Sequence, residues 1–211
     1  MTNARHAVRA AFSLVELLVV LGIISILLAM LLPALTKIQR QARAAVCKSN
    51  LRQCGLFLAM YSNNNKGWMF PVGWGSNVPH QQRWPVYVFQ PAVWNPKVMI
   101  CPEDLDPLEE HSYILNKHLA YRGIRYGRTE GRPATNIIVM GEKVSTKEDY
   151  YMEVLENKTE FYSIVELFRH GVGGGSNYLY LDLHVDSIAP ARPKDAIDPW
   201  DLPSKPGGGG S

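Results

Sequence analysis

The sequence predicts an α+β protein in which a long N-terminal helix packs on a small, mainly antiparallel β-sheet. Three observations predict it. From Leu14 to Leu32 runs a nineteen-residue stretch in which only Glu16, Gly22 and Ser25 are not strongly apolar. Beyond it, Cys47, Leu51, Cys54, Leu58 and Tyr61 recur at a 4-3-4-3 spacing, which places them on one helical face. Towards the C-terminus, Leu179, Leu181, Leu183 and Val185 alternate with Tyr178, Tyr180, Asp182 and His184, the two-residue period of a strand.

The apolar run comes first. Nineteen helical residues rise roughly 28 Å, close to the hydrocarbon thickness of a bilayer. A cleaved secretory signal has a shorter apolar region, about 7–15 residues, and ends at a small-residue site. No A-x-A pattern follows here, and the helical pattern continues. A membrane span is therefore the expectation. Arg5 and Arg9 precede it with no acid, which favours a cytoplasmic N-terminus and an external or periplasmic remainder. Three cysteines suit an oxidising compartment, with one disulfide and one thiol left over. Glu16 is the anomaly: a carboxylate at this depth costs a few kcal/mol, so it needs a partner or must snorkel to the headgroups.

Past the span, Pro33 kinks the expected helix, but Ala34 to Tyr61 contains no further proline and only one glycine, Gly55. We read a single helix from about Ser13 to Ser62. Its opposite face carries Lys37, Arg40, Arg43, Lys48 and Arg52, a solvated or headgroup-facing surface. The stretch Ser62-Asn63-Asn64-Asn65-Lys66-Gly67 stops it, with Asn and Gly as capping residues. Residues 63–206 are enough for one modest domain. Trp84–Val88 and Lys97–Cys101 are candidate apolar segments, and Ile137–Met140 lies between Arg132-Pro133 and Gly141. Tyr151–Leu155 and Phe161–Phe168 fit strand or helix. Tyr178–Val185 is the clearest strand, with one face against the helix and the other more polar.

The segment Ala11-Phe12-Ser13-Leu14-Val15-Glu16-Leu17-Leu18-Val19-Val20, after a short basic leader and before the span, resembles the processing site of type IV prepilins and type II secretion pseudopilins. The resemblance implies a pilin-like fold and cleavage by a prepilin peptidase between Ala11 and Phe12, with methylation of the new amine. It also implies a role for Phe12 and Glu16 in assembly, and it makes Pro33 the helix-kinking proline, twenty-one residues after Phe12. Ala11 departs from the usual Gly. The implied organisation is a leader at 1–11, a transmembrane and amphipathic helix at 12–62, a globular periplasmic or extracellular domain at 63–206, and a flexible Gly/Ser tail at 207–211. A terminal amine on Phe12 and the Glu16 carboxylate would cancel each other's charge within lipid, in one subunit or between neighbours.

Further along, Cys47-Lys48-Ser49-Asn50-Leu51-Arg52-Gln53, Ile100-Cys101-Pro102, Ser112-Tyr113-Ile114-Leu115-Asn116 and Arg169-His170-Gly171 are similar to a pilin-like group common in planctomycetes. That group ends in a His, a Gly/Asn-rich loop, a strand and Asp-Gly-His-Val. Here Asp182-Leu183-His184-Val185 carries Leu in place of Gly, which argues against a tight turn at Asp182.

Cys47 and Cys54 lie about 10 Å apart along a helix and cannot bond there, since a disulfide needs Cα atoms within about 7 Å. Either could reach Cys101. Cys47 matches the group's recurrent cysteine, so the resemblance implies Cys47–Cys101; three reduced, buried thiols are the alternative.

His170, Asp182, His184 and Asp186 are candidate metal ligands, and Asp195, Asp198 and Asp201 are candidates for structural calcium. Otherwise no cofactor is expected. Gly171–Gly175 lacks a following Gly-Lys-Ser/Thr and precedes a strand, which excludes a phosphate loop. No nucleophile–base arrangement can be argued, so an enzyme is not expected. Without Arg5 and Arg9 the chain has 20 basic and 19 acidic residues, which argues against nucleic-acid capture by a lone subunit.

The expected function is that of a prepilin-like structural subunit, anchored in a bacterial inner membrane by a single pass and assembled into a pilus or a type II secretion pseudopilus. Its partners would be copies of itself or other pilin-like subunits, the peptidase, an inner-membrane assembly platform and membrane lipid. A membrane-anchored periplasmic binding module and a DNA-uptake or adhesive minor pilin are the rival readings.

Overall fold

The computed structural model describes residues 13–69, 83–89, 96–116, 119, 133–152, 163–171 and 174–188. The chain divides into two compact units, Met1–Arg40 and Gln41–Ser211. Helix α1, Leu14–Asn64, contributes to both.

In the first unit α1 is apolar around its circumference from Leu17 to Leu32, and its large side chains are exposed, Leu14 at 78% and Met30 at 72%. Such a helix is expected in lipid or in the middle of a protein assembly. The exceptions are tied down locally. Ser25 Oγ donates to the Leu21 carbonyl at 2.7 Å. Pro33 sits inside the helix, where its missing N–H costs the ladder one bond, and Thr36 Oγ1 donates to the Pro33 carbonyl at 2.9 Å.

In the second unit the C-terminal turns of α1 bury Cys47, Asn50, Leu51, Cys54, Gly55, Leu58 and Ser62. The predicted face is present, widened by the small residues, while Tyr61 packs at its edge. Gly55 permits a close approach to the sheet: a Cβ there would lie 2.8 Å from Leu179 Cδ2 and 3.0 Å from Leu183 Cδ2. The helix runs two residues past the expected end. Lys66 and Gly67 then take left-handed φ, and the Gly67 N–H donates to the Ser62 carbonyl at 2.7 Å.

The sheet contains β1 (Tyr113–Asn116), β2 (Ile138–Glu142), β3 (Tyr151–Met152), β4 (Ser176–Tyr180) and β5 (Val185–Ile188), in the order β3-β1-β2-β4-β5. Three pairings are antiparallel, but β1 and β3 run parallel, so the sheet is mixed. A register shift between Ile138 and Met140 breaks the alternation in β2. Both Val139 and Met140 consequently join the cluster under α1.

Two candidate apolar segments gain an assignment, and two expectations are corrected. Trp84–Val88 is a short helix, α2, with Pro85 in its first turn, where a missing N–H is harmless. The Lys97–Cys101 segment is largely a 3₁₀ turn, Pro96–Met99. The outer sheet face is apolar rather than polar: Ile114, Ile138, Met152, Val165, Tyr178 and Tyr180 form a second buried cluster there. Finally, Tyr178–Val185 is a tight hairpin, not one strand. Leu183 adopts φ 70° where the related group has Gly, its N–H donates to the Tyr180 carbonyl at 2.9 Å, and Asp182 Oδ1 accepts the His184 N–H at 3.1 Å. The Asp182 hydrogen bond and the packing of Leu183 over Gly55 compensate for the strained residue.

Candidate functional site

Two places carry polar groups in otherwise apolar surroundings. The first is the start of α1. Ser13 Oγ accepts the Val15 N–H at 3.3 Å, and Glu16 Oε2 accepts the Ser13 N–H at 2.9 Å. This is a reciprocal cap, in which Ser and Glu three residues apart satisfy donors that the first helical turn leaves open. Ser-x-x-Glu ahead of an apolar run is the sequence signal for it, and it gives Glu16 a local partner that the charge argument left out. Ala11 and Phe12 lie outside the described residues.

The second place lies in the globular unit, around a disulfide. Cys47 of α1 and Cys101 are bonded, with Cα atoms 5.0 Å apart. Cys54, the remaining described thiol, is buried, and burial pushes it up to about 12, so it stays protonated and inert. Against the disulfide sits Glu142, at the end of β2 and fully buried. Its carboxylate accepts the Asn177 N–H at 3.0 Å and the Asn177 side-chain amide at 3.3 Å, and it pairs with His170 Nε2 at 2.8 Å. The same ring nitrogen lies 3.9 Å from Cys101 Sγ.

Local chain geometry delivers His170 there. Gly171 and Gly175 take positive φ, and the loop closes when the His170 N–H donates to the Gly175 carbonyl at 2.9 Å. Beside it, the Arg169 N–H donates to Ser176 Oγ at 3.1 Å, and the Arg169 guanidinium meets Asp104 at 3.1 Å with both side chains almost fully buried. The guanidinium also donates to the Lys143 carbonyl. Lys143 is itself buried, and its ammonium donates to the Leu108 and Lys147 carbonyls. The charged groups of the consecutive pairs Glu142-Lys143 and Arg169-His170 thus each find a partner beneath the surface, although Arg169 Nε and His170 Nδ1 make no hydrogen bond among the described residues.

Of the metal candidates read from sequence, only His170 enters this cluster. Asp182 and His184 bond each other at 2.5 Å in the hairpin turn, and Asp186 lies on β5, where it accepts the Ser187 N–H at 2.8 Å. Asp195, Asp198 and Asp201 lie outside the described residues. The ligating atoms that do converge are those of Cys47, Cys101, Glu142 and His170, all within 4.8 Å of one another. Glu142 was not a sequence candidate; its signal is an acid two residues after the apolar run Ile137–Met140.

No curated protein and no solved structure matches the chain. Residues 7–32 match the family model for the prokaryotic N-terminal methylation motif, a span that takes in the end of the leader with Arg9, Ala11-Phe12, the Ser13–Glu16 cap and the exposed apolar turns of α1. This motif indicates a prepilin-like substrate of a prepilin peptidase and is consistent with a type IV pilin-like protein.

Proposed function

We propose that the chain is cleaved between Ala11 and Phe12, methylated on the new amine, and assembled with copies of itself or other pilin-like subunits into a pilus or a type II secretion pseudopilus. The observation that carries this reading is the joining of the methylation motif to a helix long and apolar enough to cross a membrane. Before assembly lipid covers this helix, with the N-terminus cytoplasmic and the globular unit periplasmic. Within a filament, neighbouring helices replace the lipid. The protein's work is structural rather than catalytic, and an assembly platform in the inner membrane draws the subunit out.

Glu16 has two separable duties in this scheme. Its cap on the Ser13 N–H is a hydrogen bond that a neutral Gln also makes, whereas cancelling the charge of a terminal amine needs the carboxylate. The test compares Glu16→Gln with Glu16→Ala in cells holding the peptidase and platform. Mass spectrometry is expected to find a methylated Phe12 terminus in both variants, with filaments lost from both. Filaments retained by the Gln variant would show that capping alone suffices. An intact leader in the wild type, or assembly indifferent to both changes, would favour the anchored, non-assembling module.

A further inference from the structure

We propose that Cys47, Cys101, Glu142 and His170 form a zinc site once the Cys47–Cys101 disulfide is reduced. The donor set is what zinc prefers: two thiolates, an imidazole and a carboxylate, drawn from α1, the loop before β1, β2 and the glycine loop. A tetrahedral zinc holds its ligand atoms roughly 3.3–3.8 Å apart. Cys101 Sγ already lies 3.9 Å from His170 Nε2, His170 Nε2 lies 2.8 Å from Glu142 Oε1, and all four atoms fall within 4.8 Å. The two sulfurs must part, and the His170–Glu142 contact must open by about half an ångström.

A disulfide by itself explains none of the polar groups beside it. It is apolar and needs no hydrogen bonds, yet Glu142 is fully buried against it together with His170. Burying a carboxylate is costly, and this one is oriented for a further duty. Asn177 holds Glu142 Oε2 through its backbone N–H, while Oε1 accepts the Asn177 side-chain amide and faces His170 Nε2. His170 Nδ1 is buried without a hydrogen-bond partner among the described residues, so the ring's other nitrogen carries all its bonding.

The chemistry balances with a dithiol as reductant. Its two thiols close to a disulfide while the Cys47–Cys101 bond opens to two thiols, a transfer of two electrons and two protons. Zinc then displaces both thiol protons to solvent. Coordination through Nε2 places the ring proton of His170 on Nδ1. Oxidised and zinc-bound forms are mutually exclusive, and each ties α1 to the sheet domain. This site is independent of the filament reading.

The test uses the full chain in detergent micelles with a phosphine reductant and Co²⁺ as the probe. The reduced chain is expected to bind one Co²⁺, giving thiolate-to-cobalt charge-transfer bands and the intense visible bands of a tetrahedral ion, all lost on adding Zn²⁺. The oxidised chain should show neither. Cys54→Ala should leave the spectrum unchanged, and Glu142→Gln should weaken binding by about tenfold or more. A second measurement needs no variant: Zn²⁺ should raise the unfolding midpoint of the reduced wild type and leave the oxidised one unmoved. Absent charge-transfer bands, a Glu142→Gln variant that binds as tightly as wild type, or a reduced midpoint indifferent to zinc would each overturn the proposal.

Discussion

Replacing both disulfide sulfurs, as Cys47→Ala/Cys101→Ala, removes the covalent tie between α1 and the loop before β1. The two cysteines are 54 residues apart in sequence. In the chain-entropy account, releasing a loop of that length returns about 14 cal/mol/K to the unfolded chain, or about 4 kcal/mol at 25 °C. Native disulfides typically deliver about 2–4 kcal/mol. With a urea slope of about 2 kcal/mol per molar, the unfolding midpoint should fall by about 1–2 M. Tryptophan fluorescence follows the transition in micelles, since Trp84 is fully buried beside this core. Wild-type protein reduced in the presence of a chelator should reproduce the variant's curve. A drop under about 0.3 M in both cases would refute the reasoning, because a tie closing so long a loop cannot be that weak unless the bond is absent in the folded protein.

Leu183 and Asp182 test the hairpin turn. Leu183→Gly relieves a left-handed φ but loses the contact over Gly55, so stability should change by under about 1 kcal/mol, whereas Leu183→Val adds β-branching at positive φ and should cost about 1–3 kcal/mol; equal midpoints for the two would contradict the strain. Burial alone would raise the Asp182 carboxyl, but the hydrogen bonds from His184 outweigh it and hold the group below its ordinary value. A lowered folded pKa contributes stability above the ordinary carboxylate range, about 3.9, and that contribution disappears as pH falls through the folded value. Wild type should therefore lose more stability than His184→Gln between pH 5 and pH 3, and parallel acid limbs in urea unfolding would exclude the coupling.

Much of the fold was legible because it rests on local periodicity. The apolar run and the helical face from Cys47 to Leu58 are spacing statements, and the structure keeps both. Alternation from Leu179 to Val185 was also real, yet it misled about connectivity. A two-residue period cannot distinguish one long strand from two strands joined at a turn unless a turn residue marks the corner. Leu183 stands where Gly would have marked it, and tertiary packing on Gly55 overrides the local preference. Likewise the outer face looked polar because Tyr178 and Tyr180 carry hydroxyls. Their rings are nonetheless buried with Ile114 and Ile138. Trp84–Val88 reads only as an apolar segment, since five such residues fit either period, and Pro85 at the first turn tips it to helix.

Two glutamates show where legibility ends. Glu16 stood out because everything around it is apolar, and its partner is three residues away, at the Ser13 N–H. An anomaly whose answer lies within one helical turn is open to sequence reasoning, even though the reading emphasised charge and passed over the cap. Glu142 drew no attention: an acid at a strand end beside Lys143 resembles a solvated turn. Its partners are 28 and 35 residues away: His170 on a loop closed by two glycines at positive φ, and Asn177 on β4. Burial converts that unremarked acid into the centre of a network, since a carboxylate without solvent must find donors or a cation. The disulfide was expected from the resemblance at Cys47, and nothing in cysteine spacing hints that a histidine and a carboxylate would share its pocket. Glu16 therefore carries a question about charge in lipid, answered by comparing Gln with Ala, and Glu142 carries one about a cation in the domain core, answered by reducing a single bond.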